Sequence, residues 1–258
     1  MAPPAAPWRP LFLSTLEKTK SASFNLSTIA YTPSQTPIPR SRTVEFRGFF
    51  PKPASTLHTS ASDALKTQGI GLNPDVFESD LLSITTDVRM KKMGQLKEEN
   101  EVEAVFWVEE ASAQWRVRGK AIAVGTPGKE IGEEERGSRE RVGQFLRVKS
   151  GKEGDGEGWD WERQVAAYFA NHTPVMRGTF KSPSPGRPRS EKPSDPQLGL
   201  GLKVEDLNDP VARANFRVLV IIPEEVERLD FSNPDDVRRT NWTFIEGEGA
   251  WKETELWP

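Results

Sequence analysis

The 258-residue chain contains no cysteine and only two histidines, His58 and His172. The first absence excludes disulfide scaffolding, thiolate catalysis and Cys-based zinc sites. The second argues against a His-rich metal site and against a His-activated nucleophile, because the two imidazoles lie far apart in sequence. No apolar run approaches the roughly 20 residues of a membrane-crossing helix. The short apolar stretch from Leu11 to Leu16 has neither a basic flank nor a small-residue cleavage site, so the expectation is a cytoplasmic protein without a leader. The N-x-S/T sequons at Asn25, Asn171 and Asn241 then read as chance matches. Charge of one sign is also lacking. With 35 basic against 38 acidic residues the net charge is −3, and no global field points to nucleic acid or to an anionic membrane. Any anion site must be local.

What is present suits a sizeable core, with 35% hydrophobic residues in a length that fits one large decorated domain or two small ones. Apolar spacing after Pro10 predicts a helix over Leu11 to Glu17. Alternation predicts strands at 21–32 and over Arg42 to Phe50, the latter stopped by Pro51 and Pro53. Residues 52–79 read as an insertion with a short helix around Ala61 to Lys66. A strand over Leu81 to Thr86 and a basic helix over Val88 to Glu98 follow. Two longer strands, Val102 to Glu109 and Gln114 to Val124, form a hairpin. A charged stretch at 125–158 has its helix near Arg139 to Val148, and Trp159 to Ala170 repeats at helical spacing. A loop follows at 181–202, then a strand over Asn215 to Ile222 and a terminal hairpin at 241–257. The fold class is mainly β with flanking helices, in one domain over 1–258 with insertions near 52–79, 125–158 and 181–209. A closed antiparallel barrel is favoured because closure removes exposed sheet edges, although periodicity alone does not separate barrel from sandwich.

Four segments, in order, resemble a known family. They are Arg42-Thr43-Val44-Glu45-Phe46-Arg47; Thr86 to Leu96 with its Arg89, Lys91, Lys92 and Gln95; Phe106-Trp107 followed by Gln114 to Ala121; and Trp251 to Pro258. Each alone reads equally well as a solvated sheet face or a packed aromatic. Together they are similar to the pyridoxamine 5′-phosphate oxidase family of FMN-binding split barrels. Trp8-Arg9-Pro10-Leu11-Phe12, Arg177-x-x-Phe180 and Asn215-Phe216 resemble an FMN-binding branch of it.

The resemblance implies an FMN-binding split β-barrel with FMN as cofactor. It places the flavin phosphate between Arg42 and the basic segment at Lys91 and Lys92, with Arg89 assisting, because a dianion needs clustered cations. Lysine at 91 keeps the charge but loses the bidentate fork, and Met90 replaces a hydroxyl donor. Thr85 and Thr86 would contact the ribityl chain or ring edge, Gln114 the pyrimidine edge, and Arg239, with Arg238 competing, the flavin from a late strand. Arg42 and Arg47 have opposite parity on a regular strand, and the family resolves this by building FMN sites across a homodimer interface.

A B6 phosphate would need a second anion pocket. The family's Tyr-Phe-x-Ser-Arg segment is here Tyr168-Phe169-Ala170-Asn171-His172, and Glu255 stands where the family has arginine. The cofactor pocket therefore reads as retained and the substrate pocket as altered. The functional expectation is an FMN-dependent oxidoreductase-like protein with an unknown small-molecule substrate and no assigned catalytic residue. The alternatives are a genuine pyridoxamine or pyridoxine 5′-phosphate oxidase and a non-catalytic flavin-binding or interaction module.

Overall fold

In the computed structural model the described residues are 3–125, 131–152, 156–193 and 195–258. Residues 1–2, 126–130, 153–155 and 194, which fall within the expected domain and two of its insertions, lie outside them. In chain order the elements are α1 (Arg9–Leu16), β1 (Ser23–Tyr31), β2 (Pro37–Glu45), β3 (Phe49–Phe50), α2 (Thr59–Thr67), β4 (Phe77–Glu78), β5 (Leu81–Asp87), α3 (Lys91–Glu98) and β6 (Glu101–Val108). Then come β7 (Ala113–Val124), α4 (Glu133–Gly143), β8 (Arg147–Val148), α5 (Trp161–Ala170), α6 (Pro174–Gly178), α7 (Pro210–Asn215), β9 (Phe216–Asp230), β10 (Arg238–Ile245) and β11 (Ala250–Leu256).

One antiparallel sheet runs β11-β10-β9-β7-β6-β1-β2, with β5 added to β9 and β3 to β5. The mainly β class with flanking helices is therefore observed, but the ladder does not close. Among the described residues β2 pairs only with β1, and β5 meets the preceding chain only through β3 and the bonds joining Ser83 to Arg47 and Gly48. From Arg42 to Glu45 on one side and Ile84 to Asp87 on the other, two sheet edges face each other unpaired. The barrel is split there.

Strand alternation divides the core in two. Phe24, Leu26, Leu82, Ile84, Phe106, Trp115, Val117, Leu219 and Ile221 point inward and are capped by Phe12 of α1 and by Trp8 just before that helix. Phe12 meets Phe106 and Trp115 edge-on at centroid distances of 5.1 and 5.3 Å. On the opposite face, Phe50, Leu81, Ile122, Val124, Val218 and Val220 pack under Val165, Tyr168 and Phe169 of α5. Each such buried side chain contributes about 2 kcal/mol.

Three boundaries differ from the sequence reading. The second strand begins earlier, at Pro37, and breaks at 46–48, where Gly48 takes a positive φ of 95°. The helix expected at Arg139 to Val148 runs instead over Glu133–Gly143, since three glutamates favour its first turn and Arg147–Val148 pairs with β4. The late strand does not stop at Ile222. It passes through Pro223 because the β7–β9 register shifts at Arg118/Gly119, where a Cβ on Gly119 would lie 1.9 Å from the Ile222 carbonyl oxygen.

Candidate functional site: a cation-lined split

At the mouth of the split, Arg42 is cross-strand partner to buried Leu26 and so turns inward. Its guanidinium donates to the Leu26 carbonyl (3.2 Å), to Thr28 Oγ1 (2.7 Å) and to Gln95 Oε1 (2.9 Å). All three partners are neutral. Lys92, one turn before Gln95 on α3, is 7% exposed, and its Nζ approaches only the Met90 sulfur, at 3.1 Å. Burial, reinforced by Arg42 and opposed by Asp87, lowers its pKa from the ordinary 10.5 to about 8. Thr86 Oγ1 lies 3.7 Å from the same sulfur.

The other end of the split opens on the opposite face. Among the described residues Arg47 has no carboxylate at ion-pair distance, and its Nε is buried without a partner. Burial lowers its pKa against the opposing influence of Glu45. Lys52 Nζ donates to the Arg47 carbonyl at 3.2 Å, and burial and Arg47 lower its pKa. Thr85 Oγ1 shares a 2.9 Å hydrogen bond with His172 Nε2. Burial, then Arg47 and Arg177, push that imidazole down to about 3, so it is neutral at physiological pH. Beneath it the fully buried Tyr168 hydroxyl donates to Ser83 Oγ at 2.9 Å, and burial raises its pKa.

Of the residues singled out in the sequence, the split thus brings together Arg42, Lys92 and Thr86 at one end and Arg47 and Thr85 at the other. Arg89 is committed elsewhere. It pairs with Asp87 at 2.6 Å and donates to the carbonyls of Ser182 (2.9 Å) and Phe180 (3.2 Å), pinning the 180–182 turn to the end of β5. Lys91 is exposed, beside Gly186. Gln114 and Arg239 flank Leu229 in one cross-strand row on the outer face of the sheet, away from the split of the same chain. Arg239 pairs there with Glu227 at 2.7 Å, and Arg238 binds Asp236 at 2.7 Å. In the altered substrate segment, Asn171 accepts from the His58 backbone N–H at 2.8 Å, and Glu255 is exposed. Sequence reasoning missed Lys52, because a lysine between two prolines carries no periodic signal. It also missed the placement of His172 against Thr85.

The split therefore has two pairs of cations, Arg42 with Lys92 and Arg47 with Lys52, none with a carboxylate within ion-pair distance among the described residues, whereas other buried guanidiniums are neutralised, as at Arg89, Arg213 and Arg139. Desolvated charge without a counterion is costly, and a phosphate-bearing ligand would offset it.

Residues 5–125 match the family model described as pyridoxamine 5′-phosphate oxidase, FMN-binding domain. No curated protein matches the chain. Among solved structures, the chain is similar to a pyridoxamine 5′-phosphate oxidase-related, FMN binding protein from Nostoc punctiforme PCC 73102. The TM-score is 0.60 at 17% identity, covering 99% of this chain and 100% of the other. It is also similar to PhzG from Burkholderia lata 383, in complex with tetrahydrophenazine-1-carboxylic acid, with a TM-score of 0.52 at 16% identity over 99% and 94% of the two chains. Residues 5–125, which supply β1 to β7 and both edges of the split, are thus similar to the FMN-binding domain of pyridoxamine 5′-phosphate oxidase, and the chain has the fold of these split-barrel neighbours.

Proposed function

We propose that the split binds FMN, with the phosphate held by Arg42 and Lys92 and the ring directed toward Arg47 and Thr85, and that the chain is an FMN-dependent oxidoreductase acting on a substrate other than a B6 phosphate. The observation that carries this reading is the pair Arg42 and Lys92 at the open edges of β2 and β5, without a counterion among the described residues, with a second such pair, Arg47 and Lys52, where the two edges rejoin on the opposite face. The residues present fit the cofactor, since the orphaned Nε of Arg47 and the ammonium of Lys92 both lack the acceptor that an anionic ligand provides.

When bound, FMN supplies a two-electron acceptor. The chain's own residues do the rest. Gln95 and Thr28 orient the Arg42 guanidinium, the fold keeps Lys92 away from bulk water, and His172 holds the Thr85 hydroxyl without adding charge. The neutral imidazole and the occupied Asn171 side chain mean that the segment 168–172, which resembles the family's substrate-phosphate segment, supplies no cationic fork itself. A homodimer completes the reading. Gln114 and Arg239 lie on the outer sheet face with Trp107, which is 54% exposed, and a second copy docked on that face would present them to its partner's split.

The test is the visible absorption of the purified full chain and its titration with FMN. Bound oxidised flavin, with affinity lost in Arg42→Ala and Lys92→Met, supports the cofactor reading, and colourless protein that does not take up FMN rejects it. Formation of pyridoxal phosphate and peroxide by the flavin-loaded protein would replace the substrate reading with that of a B6 phosphate oxidase. Failure of the bound flavin to be reduced by any reductant tried, including tetrahydrophenazine-1-carboxylic acid, would replace it with that of a flavin carrier.

A further inference from the structure

A second cavity, of about 830 Å³, lies on the far side of α3 from Arg42, between that helix and α4. Its floor is the inner face of the sheet, where Ala121 and Leu219 are closed off and the accessible apolar surface comes from Ala123 of β7, Met93 of α3 and Val88 just before that helix. Its volume falls within the range of small-molecule sites. None of the four cations of the split lines it.

Two features indicate what it holds. The first is charge. Arg217 reaches the cavity from β9, and its Nη1 donates only to the carbonyls of Ala214 (3.0 Å) and Phe216 (2.7 Å). Glu135, Asp87 and Glu134 are near enough to favour its charged form, yet none closes to ion-pair distance, and burial lowers its pKa. The carboxylates on the wall have other partners: Glu134 pairs with Lys97 at 3.2 Å, and Glu135 with Arg139 at 2.6 Å. Arg141, exposed at the mouth, forms no ion pair among the described residues. Within the lining Lys97 and Glu134 cancel, and Glu135 is held by Arg139 from outside it, so the cavity presents Arg217 and Arg141 against one carboxylate that is already engaged.

The second feature is empty space in helices. Gly94 sits inside α3 and Gly137 inside α4, both line the cavity, and a Cβ built on either meets nothing within 4 Å. Glycine in a helix interior costs about 1 kcal/mol relative to alanine. Neither a positive φ nor a close backbone contact accounts for it here.

We infer that the cavity between α3 and α4 is a second ligand site, separate from the split, for an organic anion with an apolar body: the carboxylate or equivalent head meets Arg217 and Arg141, and the body lies against Val88, Met93 and Ala123. A charge-assisted hydrogen bond in a half-buried site accounts for selectivity over a neutral analogue.

Isothermal titration of decanoate into the full chain, with and without saturating FMN, tests this directly. The expected result is saturable binding at one site per chain, unaffected by FMN, weakened roughly tenfold or more in Arg217→Gln and abolished when Gly94→Phe and Gly137→Phe fill the space. Both glycine variants place a side chain in open space on a helix, so they should fold, and retained thermal unfolding and FMN uptake will show it. Absence of saturable binding to the unaltered chain, equal binding by the variants, or displacement of decanoate by FMN would each overturn the proposal.

Discussion

The ammonium of Lys92 lies 3.1 Å from the sulfur of Met90 and, among the described residues, has no carboxylate within ion-pair distance, although its side chain is almost wholly buried. Its pKa, held near 8, is a consequence of that placement. Because the folded value lies below the ordinary 10.5, the unfolded chain binds the extra proton between the two, and stability of the ligand-free protein should rise with pH from about 8 to about 10.5. Lys92→Met should flatten that rise in urea unfolding.

Anion binding should reverse the shift. A phosphate beside Lys92 favours its charged form, so FMN binding near pH 8.5 should take up protons, seen as a dependence of the calorimetric heat on buffer ionisation enthalpy. Lys92→Met should remove the uptake and weaken FMN by about ten- to a hundredfold.

Arg47 carries a cost in the free protein, since its Nε is buried with no acceptor. Arg47→Met should leave the ligand-free chain as stable or more stable, by on the order of 1 kcal/mol, while weakening FMN. Denaturant midpoints and flavin titration measured on the same sample check both halves.

Arg89 should behave in the opposite way. Its removal leaves Asp87 buried without its guanidinium and frees the Phe180 and Ser182 carbonyls, so Arg89→Ala should destabilise by about 3 kcal/mol. Any flavin still bound by the folded fraction should retain nearly unaltered affinity. A loss of affinity equal to that of Lys92→Met, without loss of stability, would return Arg89 to the phosphate site.

His172 provides an acid-side test. Its folded pKa of about 3 lies below the ordinary 6.5, so the stability tied to the neutral ring is intact above about 6.5 and is lost as pH falls toward 3. Imidazole NMR signals of His172 should stay in the neutral form down to pH 4, and His172→Gln should shallow the acid limb of the stability profile.

Much of the site could be read from the chain. Arg42, Lys92 and Thr86 belong to a spaced motif, and the opposite parity of Arg42 and Arg47 follows from strand geometry alone. The same parity rule separates Thr85 from Thr86, which the sequence reading had grouped together: one hydroxyl meets His172 above the sheet and the other faces Met90 below it. Motif residues without a carboxylate in their own segment looked alike in sequence. Arg89 differs from Lys92 because Asp87 turns back onto it, and Arg239 differs because Glu227, on the neighbouring strand, reaches it. Arg177 and Asn215, also marked by the family pattern, serve as a latch: Arg177 donates to the carbonyls of Ala170, His172 and Val204, while Asn215 holds the Phe180 carbonyl together with Arg89.

By itself, then, the sequence determined the long strands, the helices α1 to α3 and α5 and the motif order behind the family resemblance, but not β4, β8, α6 or α7, because alternation, helical spacing and motif order are local properties that only longer elements display. Only the tertiary structure decided which cations remain without a counterion, that β2 and β5 face each other as open edges, and that α3 and α4 enclose a second cavity. Those depend on distances between segments far apart in sequence, where burial and pairing, rather than residue identity, set the energy of a charge.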